Sequence, residues 1–342
     1  MRKYDVTIGI PIYNSEKCIQ RSLMSALSQS YHSIEYLLID DGCNDGTFDL
    51  ISSIVKSHYR CNDIRILTHS ENLGVSASRN QIIDDALGEY IFFMDSDDTI
   101  VENTIELLMH NARLYNAEIV FGSYEKIETS GKKTFYQYPS IQFFKEDELA
   151  SFAYRKYGGI QASACNYLVK TSILRDSNHR FIDTSYWEDF VFTFDLVTII
   201  SRAVLLPDIT YSYICRENSL SNYQHRQIIS KDEILRSVQT IDHLKQSSSQ
   251  LCDKVYFPNR CLNVIITDFY IACNILNKRN YIHPYIYNSE IKSIMSHPAT
   301  WKQICLFSQA RTMNQFLYIL GKLPPFLCVF IIICIGKLKK LI

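Results

Sequence analysis

The sequence has no CxxC pair and no Cys/His cluster at zinc-binding spacing, and its 11 cysteines are odd in number and scattered. That excludes a zinc module and the disulfide framework of a small secreted domain; free thiols in a reducing cytosol fit better. Net charge is also nearly absent, with 35 Lys and Arg against 36 Asp and Glu for a formal value of -1. No global field therefore draws the chain to nucleic acid. The N-terminal stretch is not expected to act as a signal peptide: Val6, Ile8, Ile10 and Ile12 alternate with Thr7, Gly9 and Pro11, whereas a signal's apolar region runs unbroken. No internal repeat is visible. The apolar run Phe326–Ile335 falls short of the roughly 20 residues that a bilayer-spanning helix needs.

What is present is a globular composition, 47% apolar and 21% charged over 342 residues, enough for one large domain or two ordinary ones. The first 122 residues alternate between strand and helix patterns. Strands are expected at Val6–Tyr13, Ile34–Ile39, Ile64–Thr68, Tyr90–Met94 and Glu118–Gly122. Helices are expected at Ser15–Ser28, Thr47–His58, Ser76–Leu87 and Ile100–Leu114. This order predicts an α/β sandwich around a mostly parallel sheet with right-handed crossovers. Ligands of such sheets bind beyond the carboxyl ends of the strands. Asn14, Asp40-Asp41 and Asp95–Asp98 all fall at those ends.

Beyond residue 122, Thr129–Tyr138 reads as a polar loop, and Glu146–Arg155 and Trp187–Ile200 as helices. Ser230-Lys231-Asp232-Glu233 is a capping-box pattern that opens another helix. Cys261–Leu276 is helical as well.

Tyr90–Met94 delivers Asp95, Asp97 and Asp98 within four residues. Crowded carboxylates raise one another's pKa unless a cation sits among them. Mg²⁺ or Mn²⁺ prefers oxygen ligands shared between carboxylates and a substrate's phosphates. The plainer reading is that Asp98 caps the helix expected from Ile100, and the two readings are compatible with Asp97 as the ligand. At Tyr186-Trp187-Glu188-Asp189 a carboxylate opens a helix, a place from which it could accept a proton from an attacking hydroxyl.

Four blocks follow one another in order: Pro11-Ile12-Tyr13-Asn14-Ser15-Glu16, Asp40-Asp41-Gly42-Cys43-Asn44-Asp45-Gly46-Thr47, Asn72-Leu73-Gly74 with Ser78-Arg79-Asn80, and Asp95-Ser96-Asp97-Asp98. Together they resemble the "PxYNxExxI", "DDGSxDxT", "NxGxxxARN" and "D(S/A)DD" blocks of the family 2 glycosyltransferases of the GT-A fold, over roughly residues 4 to 220. The resemblance implies a nucleotide-diphosphate-sugar donor. Pro11 and Tyr13 would line its base, and Asp41 would accept a hydrogen bond from the base, which favours uracil or thymine. Glu16 and Asp40 would support them, and Arg79 would neighbour base and phosphates. Asp95 would hold the ribose, Ser96 would lie on the donor, and Asp97 would ligate Mg²⁺ or Mn²⁺. Asp189 matches the general base of the family's "ED" pair. Tyr211–Ser221 is similar to its "YxYxxRxxSxS" segment, with Arg216 and Ser219 on the diphosphate. Cys165-Asn166-Tyr167-Leu168-Val169-Lys170 is similar to an "NKLY/F-R/K" strand, although Tyr167 stands where the family has Lys.

The implied activity is inverting transfer of a single sugar, UDP-linked in preference, to a saccharide or lipid-linked saccharide in cell-surface polysaccharide synthesis. No QxxRW motif of the processive synthases is present. A sugar nucleotidyltransferase is the enzymatic alternative, but Pro11–Lys17 lacks the glycine-rich phosphate loop of that class. A non-catalytic nucleotide-binding scaffold is the other. The expected domains are a GT-A domain over 1–221, a helical region over 222–315, and an apolar, basic tail over 316–342. In the tail, Phe326–Ile335 precedes Lys337, Lys339 and Lys340. That pattern suits a shallow anchor on an anionic membrane or a helix docked on the core. The expected location is the cytoplasm, peripheral on the inner face of the cell membrane.

Overall fold

The computed structural model describes residues 4–184, 186–216 and 229–342. The chain divides into two compact units that alternate along the sequence. The first is Met1–Leu149, Ser163–Asp183 and Thr198–Asn222; the second is Ala150–Ala162, Thr184–Val197 and Tyr223–Ile342. Two stretches inside the region expected as one GT-A domain, 150–162 and 184–197, thus belong to the second unit.

The first unit is built on β1 (Tyr4–Ile12), α1 (Ile19–Leu27), β2 (Ile34–Asp40), α2 (Thr47–Ser57), β3 (Ile64–Thr68), α3 (Val75–Asp85) and β4 (Gly88–Phe93). It continues through β5 (Thr99–Ile100), α4 (Thr104–Leu114), β6 (Ile119–Ile127), β7 (Lys133–Tyr136) and β8 (Ile141–Phe143). After α5 (Glu148–Lys156), which passes into the second unit at Ala150, come β9 (Tyr167–Lys170) and α6 (Thr171–Asp176); α7 (Glu188–Leu196) lies in the second unit, and β10 (Ala203–Ile214) returns to the first. One mixed sheet runs β3-β2-β1-β4-β9-β6-β10-β5, with β7 on β6 and β8 on β10. β3, β2, β1 and β4 are mutually parallel, as are β6 and β10, while β9 runs antiparallel to β4 and β6.

Every residue of β2 is buried, and Val6, Ile8 and Ile10 of β1 are fully buried. Such strands need cover on both faces, and in β1 the intervening Thr7, Gly9 and Pro11 are buried as well. The parallel register places Ile12 beside Asp40 and Gly9 beside Phe93. The loops after β1, β2 and β4 therefore leave from one edge of the sheet.

Two local expectations are overturned. Residues 99–100 pair with β10 and α4 starts at Thr104, not at Ile100. Within the polar stretch 129–138, Lys133–Tyr136 forms β7 against β6; Tyr136 stacks on Tyr124 at a centroid distance of 4.7 Å, a cross-strand pair that composition does not announce.

The second unit contains α7, the part of α5 from Ala150, and α8 (Lys231–Ser249) and α9 (Phe257–Lys278). β11 (Ile229–Ser230) pairs in parallel with β12 (Ile282–His283). The chain then forms α10 (Asn288–Ile294), α11 (Trp301–Leu306), α12 (Arg311–Lys322) and α13 (Pro325–Leu338). Ser230 caps α8 through its side chain, accepting from the backbone N–H of Asp232.

The hub of this unit is Arg260, fully buried on α9. Its guanidinium donates to Asp195 of α7, Tyr154 of α5, and Ser247 and Ser248 of α8, and lies over the Phe194 ring at 4.8 Å. A buried cation is tolerable only when its donors are matched in this way. The tail docks: Cys328, Val329 and Ile332 of α13 are buried, and the helix packs on α9, α10 and α12. Among the described residues no helix is long and apolar enough to cross a membrane.

Candidate active site

The edge where β1, β2 and β4 end collects most of the residues picked from the sequence. β1 closes with buried Pro11, and Tyr13 projects with 44% of its surface exposed. Asn14 follows in the left-handed region at φ 45°, its side-chain Oδ1 accepting from the N–H of Asn44, so the loops after β1 and β2 are tied together. Glu16 is exposed, and its backbone N–H donates to Asp45.

Asp40 and Asp41 are both buried. Asp40 accepts from the N–H of Cys43 at 3.0 Å and closes the turn. Gly42 has φ +72°, and a Cβ there would sit 2.8 Å from the Glu71 carbonyl carbon, so both conformation and space require glycine. Asp41 accepts from the N–H groups of Leu73 and Gly74 at 2.9 Å each, and its Oδ1 lies 2.6 Å from Nδ1 of His69. The Nε2 of His69 in turn meets Gln81 at 2.6 Å. Asp41 thus anchors the loop that opens α3, the block that carries Arg79.

Arg79 is 97% buried, and its guanidinium donates to Asp95 Oδ1 at 2.9 Å while lying over the Phe181 ring at 5.3 Å. That pair joins the third and fourth sequence blocks directly.

Asp95, Asp97 and Asp98 can bring one carboxylate oxygen each within 4.8 Å of one another. Burial, and then the Asp95 charge, push Asp97 up, with Arg216 opposing. Burial, then Asp95 and Asp97, push Asp98 up to about 8. Carboxylates crowded in this way are eased by positive charge close by. Part of that charge comes from Arg216, whose guanidinium pairs with Asp97 Oδ2.

The backbone around the triplet is held by neighbours. Arg21 donates to the Asp97 carbonyl at 2.8 Å, Ser22 to the Asp95 carbonyl at 3.2 Å, and the hydroxyls of Ser15 and Ser96 meet at 2.7 Å. Asp98 does not cap a helix as expected. It accepts from the Tyr211 hydroxyl and from the N–H of Ile214, each at 2.8 Å, because β5 intervenes and ties the triplet to β10. Asp98 is thereby a buried strut. Asp95 and Asp97 are the partly open carboxylates, and oxygen donors of that kind suit Mg²⁺ or Mn²⁺.

Asp189 lies in the second unit as the second residue of α7, behind Trp187, which has φ 67°. Ser219 lies outside the described residues. Asn166 is not a ligand-facing residue: at φ 67° its amide donates to the carbonyls of Gly122 and Ser123, and its carbonyl accepts from Thr210. It locks β6, β9 and β10 together, which explains an amide at that position. Arg21 and His69 support the site from outside the four blocks, and Ser15 does so from within the first, where it was given no role; only the fold brings them to the triplet or to Asp41.

Comparison with known proteins places this geometry. The description "Glycosyl transferase family 2" matches residues 7–173. Glycosyltransferase GlyG of Streptococcus pneumoniae serotype 4 is 36% identical over 146 residues, 42% of this chain and 47% of that protein. WfaP of Escherichia coli, a UDP-Glc:alpha-D-GlcNAc-diphosphoundecaprenol beta-1,3-glucosyltransferase, is 29% identical over 237 residues, 68% of this chain and 86% of that protein. The chain spans about half or less of the length of several such relatives, 47%, 31% and 50% for three of them. Among solved structures, S. aureus TarS 1–349 in complex with UDP-GlcNAc superposes with a TM-score of 0.65 at 16% identity, covering 93% of this chain and 90% of that one. The fold is therefore the GT-A α/β fold with C-terminal helices.

Proposed function

We propose that the chain, whose residues 7–173 match the family 2 glycosyltransferases, moves a single sugar from a UDP-linked donor to a saccharide or lipid-linked saccharide in polysaccharide synthesis. The observation that carries the proposal is the Asp95, Asp97, Asp98 cluster at the carboxyl edge of the parallel strands, beside exposed Tyr13 and buried Asp41. A UDP donor is supported by the TarS complex with UDP-GlcNAc and by the UDP-Glc named for WfaP. The lipid-linked acceptor rests on WfaP's diphosphoundecaprenol-linked substrate. We place the reaction at the cytosolic face of a membrane, where such an acceptor resides.

In this reading Tyr13 stacks on the base, with Pro11 behind it and Glu16 in support. Asp41 accepts from the base and holds the Leu73–Gly74 turn. Arg79 orients Asp95 toward the ribose, and Ser96 faces the donor. Asp97 would hold Mg²⁺ or Mn²⁺, which would supply neutralisation of charge on the leaving diphosphate. Arg216, already drawn to Asp97, adds a charge-assisted contact to the diphosphate, with Ser219 beside it. Asp189 takes the proton from the acceptor hydroxyl as its oxygen attacks the anomeric carbon and the bond to the diphosphate breaks. A single displacement of this kind inverts the anomeric configuration.

The test is release of free UDP from a panel of UDP- and dTDP-sugars with Mn²⁺ and a saccharide acceptor. The reading expects turnover with at least one UDP-sugar and its loss in Asp97→Ala. Silence across the whole panel, with Asp97→Ala binding UDP as tightly as the parent, removes it.

A further inference from the structure

The helix α13 is apolar all round, a pattern found where both faces have an apolar neighbour. One face has its neighbour within the unit: Cys328, Val329 and Ile332 are buried against α9, α10 and α12. The opposite face does not. Phe326, Phe330 and Cys334 recur every four residues, so they stand on one side of the helix, and all three are exposed, the phenylalanines by 69% and 62%. Leu338, 85% exposed, ends the helix among Lys337, Lys339 and Lys340, also exposed.

The basic end of α13 adjoins a second apolar feature. A groove of about 730 Å³ runs between α9, α12 and α13, lined by Phe269, Tyr270, Met313, Phe316 and Ile335, with Arg311 and Lys339 among its walls. Apolar surface bordered by cations matches an apolar layer bordered by anions, and that charge complementarity selects the occupant.

We propose that the outer face of α13 and the adjoining groove form a docking surface for an anionic phospholipid bilayer. The phenylalanines enter the interfacial zone, and Arg311, Lys337, Lys339 and Lys340 pair with headgroup phosphates. The helix lies in the membrane plane, because its inner face is already committed to α9, α10 and α12. This deepens the membrane placement proposed above, and it requires nothing of the donor site.

The experiment is co-sedimentation of the full chain with vesicles of phosphatidylcholine alone or with about a third phosphatidylglycerol, at low and high salt, without nucleotide sugar. The expected result is binding to the anionic vesicles at least tenfold tighter than to the neutral ones, weakened by salt. Phe326→Ser/Phe330→Ser and Lys337→Glu/Lys339→Glu/Lys340→Glu should each reduce binding at least tenfold while melting and eluting like the parent. No binding of the parent to anionic vesicles, or undiminished binding by both variants, overturns the proposal. A parent that elutes as a dimer, ignores vesicles, and becomes monomeric in the phenylalanine variant assigns the face to a second copy instead. UDP release by the same variants without vesicles, expected at the parent's rate, reports separately on the transferase reading.

Discussion

A buried carboxylate can be idle or expectant, and its partners tell which. Glu35, fully buried, is matched by Arg65, the Thr7 hydroxyl and the N–H of Leu87, so it asks for nothing. Asp95 and Asp97, partly open, have one arginine partner each among the described residues and face one another's charge. Asp97→Ala is accordingly expected to lower kcat/KM for the donor by about a hundredfold or more without lowering the melting temperature, as steady-state kinetics and thermal unfolding would check. Asp189→Asn should lower kcat by about 10²- to 10⁴-fold, the usual contribution of a general base, with UDP affinity measured by calorimetry unchanged. Asp268 shows the same electrostatics in a structural role. Burial pushes it up from 3.8 to about 7, with Lys245 opposing from 2.8 Å. Between those values the folded chain holds a proton that the unfolded chain has released, so stability falls as pH rises from about 4 to about 7. Denaturant midpoints across that range should slope downward in the parent and flatten in Asp268→Asn.

Among the elements, strands carrying unbroken apolar runs were legible and those shaped by partners were not. β2 and β4 announce themselves through Ile34–Ile39 and Tyr90–Met94, and the turns they deliver, Asp40-Asp41-Gly42 and Asp95–Asp98, are where the expected site lies. β5 and β7 are held by pairing with β10 and β6, information that sits more than a hundred residues away in the first case. Hence Asp98 reads locally as a helix cap and serves in fact as the link to Tyr211 and Ile214. Asn166 is similar: its neighbours suggest a motif residue, while its hydrogen bonds tie together β6, β9 and β10. Asn166→Ala should cost about 2–3 kcal/mol, since buried carbonyls lose their donor and the left-handed backbone loses a residue suited to it. Asn166→Gly keeps the backbone and should cost less. Chemical denaturation that ranks the two alike would contradict this account of the residue.

At the scale of the molecule, the residues proposed for the site are distributed over two units. The first unit carries the four sequence blocks and Arg216, and the second carries Asp189, the proposed base, on a helix fixed through Asp195 and Phe194 to the buried Arg260. A linear domain map could not show this, because 150–162 and 184–197 leave one unit and return to it in sequence only. Removing divalent metal from the whole protein should abolish turnover while leaving the fold intact, since Arg216 remains to offset Asp97. The most direct test of the central claim is calorimetric titration of UDP into parent and Asp97→Ala, each with Mn²⁺ and with EDTA. Tight binding by the parent only with Mn²⁺, and equally weak binding by Asp97→Ala with or without it, is the predicted result. Parent affinity for UDP that is indifferent to Mn²⁺ and to the loss of Asp97 would contradict the account.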